Sequence, residues 1–360
     1  MNYETNIIDK IEIVNKLHRI FITGAAGFIG TKLVQLLLRE GFSVRGLYCR
    51  TQPDWSNYAE LDPGDRLEFV QGNITSVESL RQTMDGCRYA FHLAGFAQNW
   101  ARDFSLFTKI NIDGMRNVFQ IAKEQNFERI VWTSSIVTFG PTKSGIIADE
   151  TSTRITEQYF TEYEKTKTIA EKEALQWADD GLPLVIVNPT RVFGPGPQID
   201  GNALAGLIND YITGKLVISF NFGMDVGNFV YVDDAAMGHY LAMLKGRIGE
   251  RYILGGENAS LRQFYTYVEE VSGIQRRGLP IFMPAAMTLS CMFVLWAKLT
   301  GGYPRISPGW VRTFATDWCY SCGKAKTELG YDPIPLKEAV QRTYEWLKEK
   351  NSITKYFRDS

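Results

Sequence analysis

Scarcity says as much about this chain as abundance does. Its 360 residues include only five cysteines, Cys49, Cys87, Cys291, Cys319 and Cys322, too few for the disulfide framework of a small secreted domain. A reducing, cytoplasmic setting is therefore expected. Cys319 and Cys322 spell C-x-x-C, but no second pair or nearby histidine completes a metal site, and no metal is expected. Neither sign of charge is in excess: 39 Lys and Arg face 40 Asp and Glu, a formal net charge of −1. That balance excludes a strongly basic nucleic-acid-binding surface and an acidic tail. The opening MNYETNIIDKIEIVNK lacks a basic start followed by an apolar run, so residues 1–17 read as an extension and not as a signal peptide. No internal repeat or low-complexity stretch is visible. One long apolar run stands out, IFMPAAMTLSCMFVLWAKL at 281–299. It is interrupted by Pro284, Thr288 and Ser290 and is close to the shortest membrane span. The adopted expectation is a buried helix or a dimer face. A lid over a greasy substrate and contact with a membrane surface are the alternatives.

What is present is an alternation. RIFIT (19–23), SVRGLYC (43–49), LEFVQGN (67–73), CRYAFHLAG (87–95), RIVWTSS (129–135) and PLVIVNP (183–189) are short runs rich in β-branched and aromatic residues. Longer segments of helical periodicity separate most of them. Strands alternating with helices require crossover connections and a parallel sheet covered on both faces, a doubly wound α/β (Rossmann) domain. After Pro189 the pattern loosens, and a smaller C-terminal domain built from several segments is expected. The expected limits are 18–190 for the sheet domain, with returns near 228–250 and 310–325. The second domain takes 191–227, 251–309 and 326–360.

ITGAAGFIG follows the first expected strand and opens the first expected helix. Gly24, Gly27 and Gly30 there permit a tight turn, close approach of the backbone to a pyrophosphate, and tight packing of helix on sheet. With Phe28 and Ile29 they form the expected phosphate end of a dinucleotide site, at a helix N-terminus whose unpaired N–H groups attract anions. The second expected strand ends LYCR, with no carboxylate for a ribose 2′-hydroxyl. Arg50 at that tip could pair with a 2′-phosphate, and Arg45 is a second candidate. NADP(H) is the expected cofactor and NAD(H) the alternative.

Four tyrosines stand four residues ahead of a lysine: Tyr163/Lys167, Tyr211/Lys215, Tyr320/Lys324 and Tyr344/Lys348. Only the first lies between a strand tipped with serines, WTSS, and the next strand of the sheet. Residues i and i+4 share one face of a helix, so Tyr163 and Lys167 can both face the carboxyl edge of the sheet, where open α/β folds bind ligands. Tyr163 is the expected proton donor to a carbonyl oxygen, or acceptor from an alcohol. Lys167 is expected to favour the phenolate and hold the nicotinamide ribose, and Ser135 to hydrogen-bond the reacting oxygen. Ser134 is expected to shape the strand tip, and His92 to be a core histidine.

These motifs, with FHLAG, NIDGMRNV, NPTRVFGPG, FVYVDD and KAKTELGY, resemble the extended short-chain dehydrogenase/reductases over residues 18 to 350. The resemblance implies an enzyme using a nicotinamide cofactor, and homodimerisation through two helices of the sheet domain. It places Asn73 and Ile74 near adenine, and Ala94 and Gly95 along the cofactor. Asn111 would support the active-site backbone, with Pro189 and Thr190 near the nicotinamide. Asn73 stands where the family commonly has Asp. Relatives acting on sugar nucleotides commonly carry an arginine where this chain has Gly227. VRGLYCR and WTSSIVTFGP look more like the hydroxysteroid-dehydrogenase and dihydroflavonol-reductase branch. The expected substrate is therefore a lipophilic or aromatic ketone or alcohol. A nucleotide-sugar epimerase or dehydratase is the alternative, and an idle cofactor sensor is disfavoured because Tyr163 and Lys167 are both present.

Overall fold

The computed structural model describes residues 18–359 except 51, 198, 216, 217, 221, 222, 277, 278 and 305. The expected N-terminal extension, 1–17, lies outside the described residues. Strands β1 (Arg19–Thr23), β2 (Val44–Tyr48), β3 (Leu67–Gln71), β4 (Cys87–His92), β5 (Arg129–Thr133) and β6 (Leu184–Pro189) arise from the six runs read as strands. With β10 (Arg251–Leu254) they form a seven-stranded sheet of order β10-β6-β5-β4-β1-β2-β3, and the pairings are all parallel.

Alternation along each strand sends side chains to opposite faces. Ile20, Ile22, Val131, Val185 and Val187 pack on one face under α1 (Phe28–Arg39) and α6 (Val232–Lys245). Phe21, Ile130, Trp132, Leu184 and Ile186 pack on the other under α2 (Val77–Met84), α3 (Gly114–Glu124) and α4 (Glu162–Asp179). Burial on both faces is why these strands read as continuous apolar runs.

A smaller sheet, β11-β9-β7, comprises β7 (Arg191–Phe193), β9 (Val226–Tyr231) and β11 (Glu257–Ser260). Its core joins Phe193, Phe229 and Phe264 to residues of α5 (Ala203–Thr213), α7 (Leu261–Ser272) and α10 (Leu336–Asp359). Two expected limits need correcting. Arg251–Leu254, assigned to the second domain, is the edge strand of the large sheet, because Arg251 to Leu254 pair in register with Ile186 to Pro189. Conversely, β9, expected to return to the large sheet, pairs with β7 and β11, and only α6 returns.

The 281–299 run becomes helix α8 (Met283–Thr300). A third sheet, of two strands, β8 (Ile218–Phe220) and β12 (Leu279–Ile281), precedes it. Of the buried helix or dimer face expected here, burial within this chain is overturned: only Ala286, Ser290 and Ala297 are buried, while Met292, Leu295, Trp296 and Leu299 are each more than half exposed. By length and composition α8 could cross a membrane, the one such helix among the described residues.

Two histidines are locked neutral inside the sheet domain. His239 on α6 donates from Nδ1 to the Ala235 carbonyl (2.6 Å) and accepts at Nε2 from the Thr133 hydroxyl (2.8 Å). His92 is hydrogen-bonded to Thr23. Burial pulls His239 down to about 4 and His92 to about 3, so neither is suited to proton exchange near neutrality. Folded values below the ordinary 6.5 mean that the unfolded chain binds these protons first as pH falls. Their effect on stability is nil above about pH 6.5, and stability is lost progressively below it. Urea unfolding is expected to weaken between pH 7 and pH 5 by about 2 kcal/mol for each histidine. His239→Gln is expected to flatten that slope, and a variant with the wild-type slope would refute the assignment.

Candidate active site

The first turn after β1 is fixed by backbone contact. Gly24 has φ +73°, and a methyl group there would stand 2.8 Å from the Ala94 amide nitrogen. A methyl on Gly30 would stand 2.0 Å from the Gly24 carbonyl oxygen. Both positions therefore require glycine. Helix α1 begins with Gly27 as its cap, without a side-chain hydrogen bond and with no acidic residue in its first turn. Its leading N–H groups are left for a ligand, and the cradle fits a pyrophosphate. A cavity beside it is lined by Gly24, Gly27, Tyr48, Asn73, Ile74 and Ala94, among others. Asn73 Oδ1 accepts from the Thr75 N–H (3.0 Å), closing the turn at the adenine end.

Not every expected cofactor residue reaches the cleft. Phe28 is buried, and its ring packs against Gly196, whereas Ile29 lines the larger cavity. Arg50 is exposed and is not among the lining residues. Arg45 pairs with Glu68 (2.9 Å) and donates to the Thr83 and Asp85 carbonyls, which occupies the second candidate. Asn111 acts on the backbone: Oδ1 accepts from the Phe96 N–H (2.7 Å) and Nδ2 donates to Thr166 (3.1 Å). It thereby ties the loop after β4 to α4 and takes no direct place in the cofactor cavity. The π-helical turn Lys109–Asp113 carries this side chain.

Thr161 caps α4, accepting from the Glu164 N–H (3.1 Å). The first two turns then deliver Tyr163 and Lys167 to one cavity with Ser135, Pro189 and Thr190. Burial pushes the Tyr163 phenol up, against a smaller opposing pull from Ser135. The Lys167 ammonium is directed toward β5. Its Nζ donates to the Thr133 carbonyl (2.8 Å) and lies 4.9 Å from the centre of the Trp132 ring. Burial pulls Lys167 down to about 8, against the opposing pull of Glu171. The other Tyr/Lys spacings do different work. Tyr211 donates to Glu269 (2.7 Å), Tyr320 donates to the Gly140 carbonyl, and Tyr344 is on α10.

Sequence reasoning missed the support beneath this pair. Glu171, one turn past Lys167, is buried, and its Oε2 accepts from Ser134 (2.5 Å), Thr138 (3.0 Å) and Asn188 (2.5 Å). Its Oε1 accepts from Arg251 (3.1 Å). The two serines are thus separated: Ser134 anchors the strand tip, and Ser135 faces the phenol. The i+4 spacing from Lys167 was the available signal for Glu171; nothing local pointed to Arg251.

Beyond Tyr163 the cavity, about 280 Å³, is walled by Ile136, Val192, Leu204, Trp310, Phe314 and Trp318. Trp310 and Phe314 belong to α9 (Pro308–Phe314). No lining residue comes from α8; this wall is supplied by α9.

The model of the NAD dependent epimerase/dehydratase family matches residues 20–255. A putative dihydroflavonol 4-reductase from Synechocystis sp. is 31% identical, covering 92% of this chain and 95% of that protein. The 3beta-hydroxysteroid-dehydrogenase/decarboxylase isoform 1 of Arabidopsis thaliana is 25% identical, over 92% of this chain and 80% of the relative. Among solved structures, that of gox2253 superposes with a TM-score of 0.78 at 31% identity, covering 92% of this chain and 98% of the other.

Removing the buried carboxylate takes a shared acceptor from one guanidinium, two hydroxyls and an amide, although Arg251 keeps the Glu150 carbonyl and Thr138 and Asn188 the Ser135 carbonyl. Glu171→Ala is therefore expected to cost about 3–5 kcal/mol in urea unfolding, and Glu171→Gln less. A loss below about 1 kcal/mol in the alanine variant would show that these bonds do not hold the strand tip.

Proposed function

The chain belongs to the NAD dependent epimerase/dehydratase family as an NAD(P)-dependent oxidoreductase of the extended short-chain type, and we propose that it interconverts a ketone and a secondary alcohol on a lipophilic or aromatic small molecule. The observation that carries this reading is a single cavity in which Tyr163, Lys167 and Ser135 meet walls of Trp310, Phe314 and Trp318. Apolar walls of that kind favour a body with little polar surface. The names of relatives acting on hydroxysteroids and dihydroflavonols support the same class.

When bound, the nicotinamide supplies or accepts the hydride. The residues of the chain manage the proton. In reduction Tyr163 gives its phenolic proton to the carbonyl oxygen as charge develops there. In oxidation it takes the proton from the hydroxyl. Ser135, which lines the same cavity, is placed to donate a hydrogen bond to the same oxygen. Asn111 and Glu171 hold the loop and strand tip that frame the pair. Lys167 would hold the ribose of the cofactor, and its charge would favour the phenolate once the site is filled. NADP(H) is the proposed cofactor: no carboxylate is among the described residues lining the adenosine-side cavity, and Arg50 lies just beyond the β2 tip.

Three measurements test this reading. Tyr163→Phe is expected to lower NADPH consumption with a panel of polycyclic and aromatic ketones by about 10²–10⁴-fold, while cofactor affinity by fluorescence titration stays near wild type. Full activity in that variant would defeat the assignment. UDP-sugars incubated with the wild type are expected to return unepimerised. Because the Lys167 ammonium is lost as pH rises through about 8, cofactor binding should weaken progressively above that pH. Lys167→Met should bind weakly with no such dependence, and a pH-independent wild type would remove the lysine from the binding scheme.

A further inference from the structure

A cation stands in the substrate cavity where the sequence had suggested none. Arg191, the first residue of β7, lines the cavity. Its guanidinium lies over Gly227: a methyl group at 227 would stand 2.3 Å from Arg191 Nη1. The space beside position 227 is therefore filled by a guanidinium arriving from the neighbouring strand, and glycine at 227 makes room for it.

The guanidinium is held flat and in place. It stacks 4.6 Å from the centre of the Phe314 ring and 5.7 Å from that of Phe229, and Nη2 donates to the Thr313 carbonyl (3.0 Å). An arginine has five N–H donors, and this is the one hydrogen bond its side chain makes among the described residues. Asp225 and Asp317 favour its charge, yet neither lines the cavity, and Asp317 Oδ1 accepts from the Val226 N–H (2.7 Å). Burial pulls Arg191 down only to about 10, so it stays charged at neutral pH. A charged fork facing an apolar cavity with donors to spare is suited to a planar oxyanion, which it can grip through two parallel bonds.

We propose that Arg191 is an anion-binding residue of the substrate cavity, so that the molecule turned over is an amphiphile: an apolar body carrying a carboxylate or phosphate oxyanion as well as the reacting oxygen. This rests on reading the cavity as the substrate site of an oxidoreductase. The alternative role, a staple joining α9 to the small sheet, would predict no dependence on ligand charge.

The test uses binding as well as turnover. With the NADP⁺-loaded full chain, calorimetry compares a steroidal 3-oxo carboxylic acid with its methyl ester, and UDP serves as the phosphate probe. The wild type is expected to bind the acid at least about tenfold more tightly than the ester, as a charge-assisted bond implies. Arg191→Met is expected to erase the difference. Gly227→Ala, whose methyl displaces the guanidinium without removing it, should reduce it, and Arg191→Lys should keep part of it. Preserved NADP⁺ affinity verifies the fold of each variant. Arginine-dependent binding of UDP in place of the acid also supports the proposal and identifies phosphate as the anion. Equal behaviour of wild type and Arg191→Met toward all three probes, including no binding of any, overturns it. NADPH consumption is read separately: charge-selective binding without turnover would count against the redox reading and leave the anion site standing.

Discussion

A buried carboxylate with four donors is the constraint around which the reacting end is assembled. Taking Glu171 out of water is costly unless every lone pair finds a partner, and Ser134, Thr138, Asn188 and Arg251 provide those partners. They come from the tip of β5 and the turn after it, from β6 and from β10. Satisfying one charge thus fixes three parallel strand regions relative to α4. Tyr163 and Lys167 inherit that fixity because they lie two turns and one turn earlier, respectively, on the same helix. The Thr133 carbonyl that receives Lys167 is adjacent to Ser134, so the amine and the strand tip cannot shift independently.

The large sheet was legible because its strands are buried on both faces and its glycines meet backbone atoms, two effects written locally in the chain. RIFIT and the turn after it needed no distant information. Tyr163 was separable from Tyr211, Tyr320 and Tyr344 for the same reason, by its place between two strands. What escaped was encoded across long separations. Arg251 bonds a residue 80 positions earlier, and α9 reaches the cavity from beyond residue 307. The burial expected for 281–299 failed differently: apolar composition reports a preference for leaving water, and only three of its helical residues satisfy it against this chain.

Gly227 illustrates how a correct local observation can mislead. The missing arginine was real, but the space it would occupy belongs to Arg191. Charge in a cavity is a property of positions in space, and β7 and β9, being neighbours in the small sheet, can exchange which of them carries it. The resulting cavity combines aromatic walls, two cations and a phenol, a more discriminating set than apolar walls alone.

The edge position of β10 also bears on how the enzyme is made. Ribosomal synthesis delivers the glycine turn, the phenol and the amine long before Arg251, so a nascent chain already carries all its reactive groups while Glu171 still lacks its guanidinium partner and β6 its outer neighbour. Truncated products ending ahead of that strand would expose a parallel edge of Val187, Asn188 and Pro189, open to pairing with another chain.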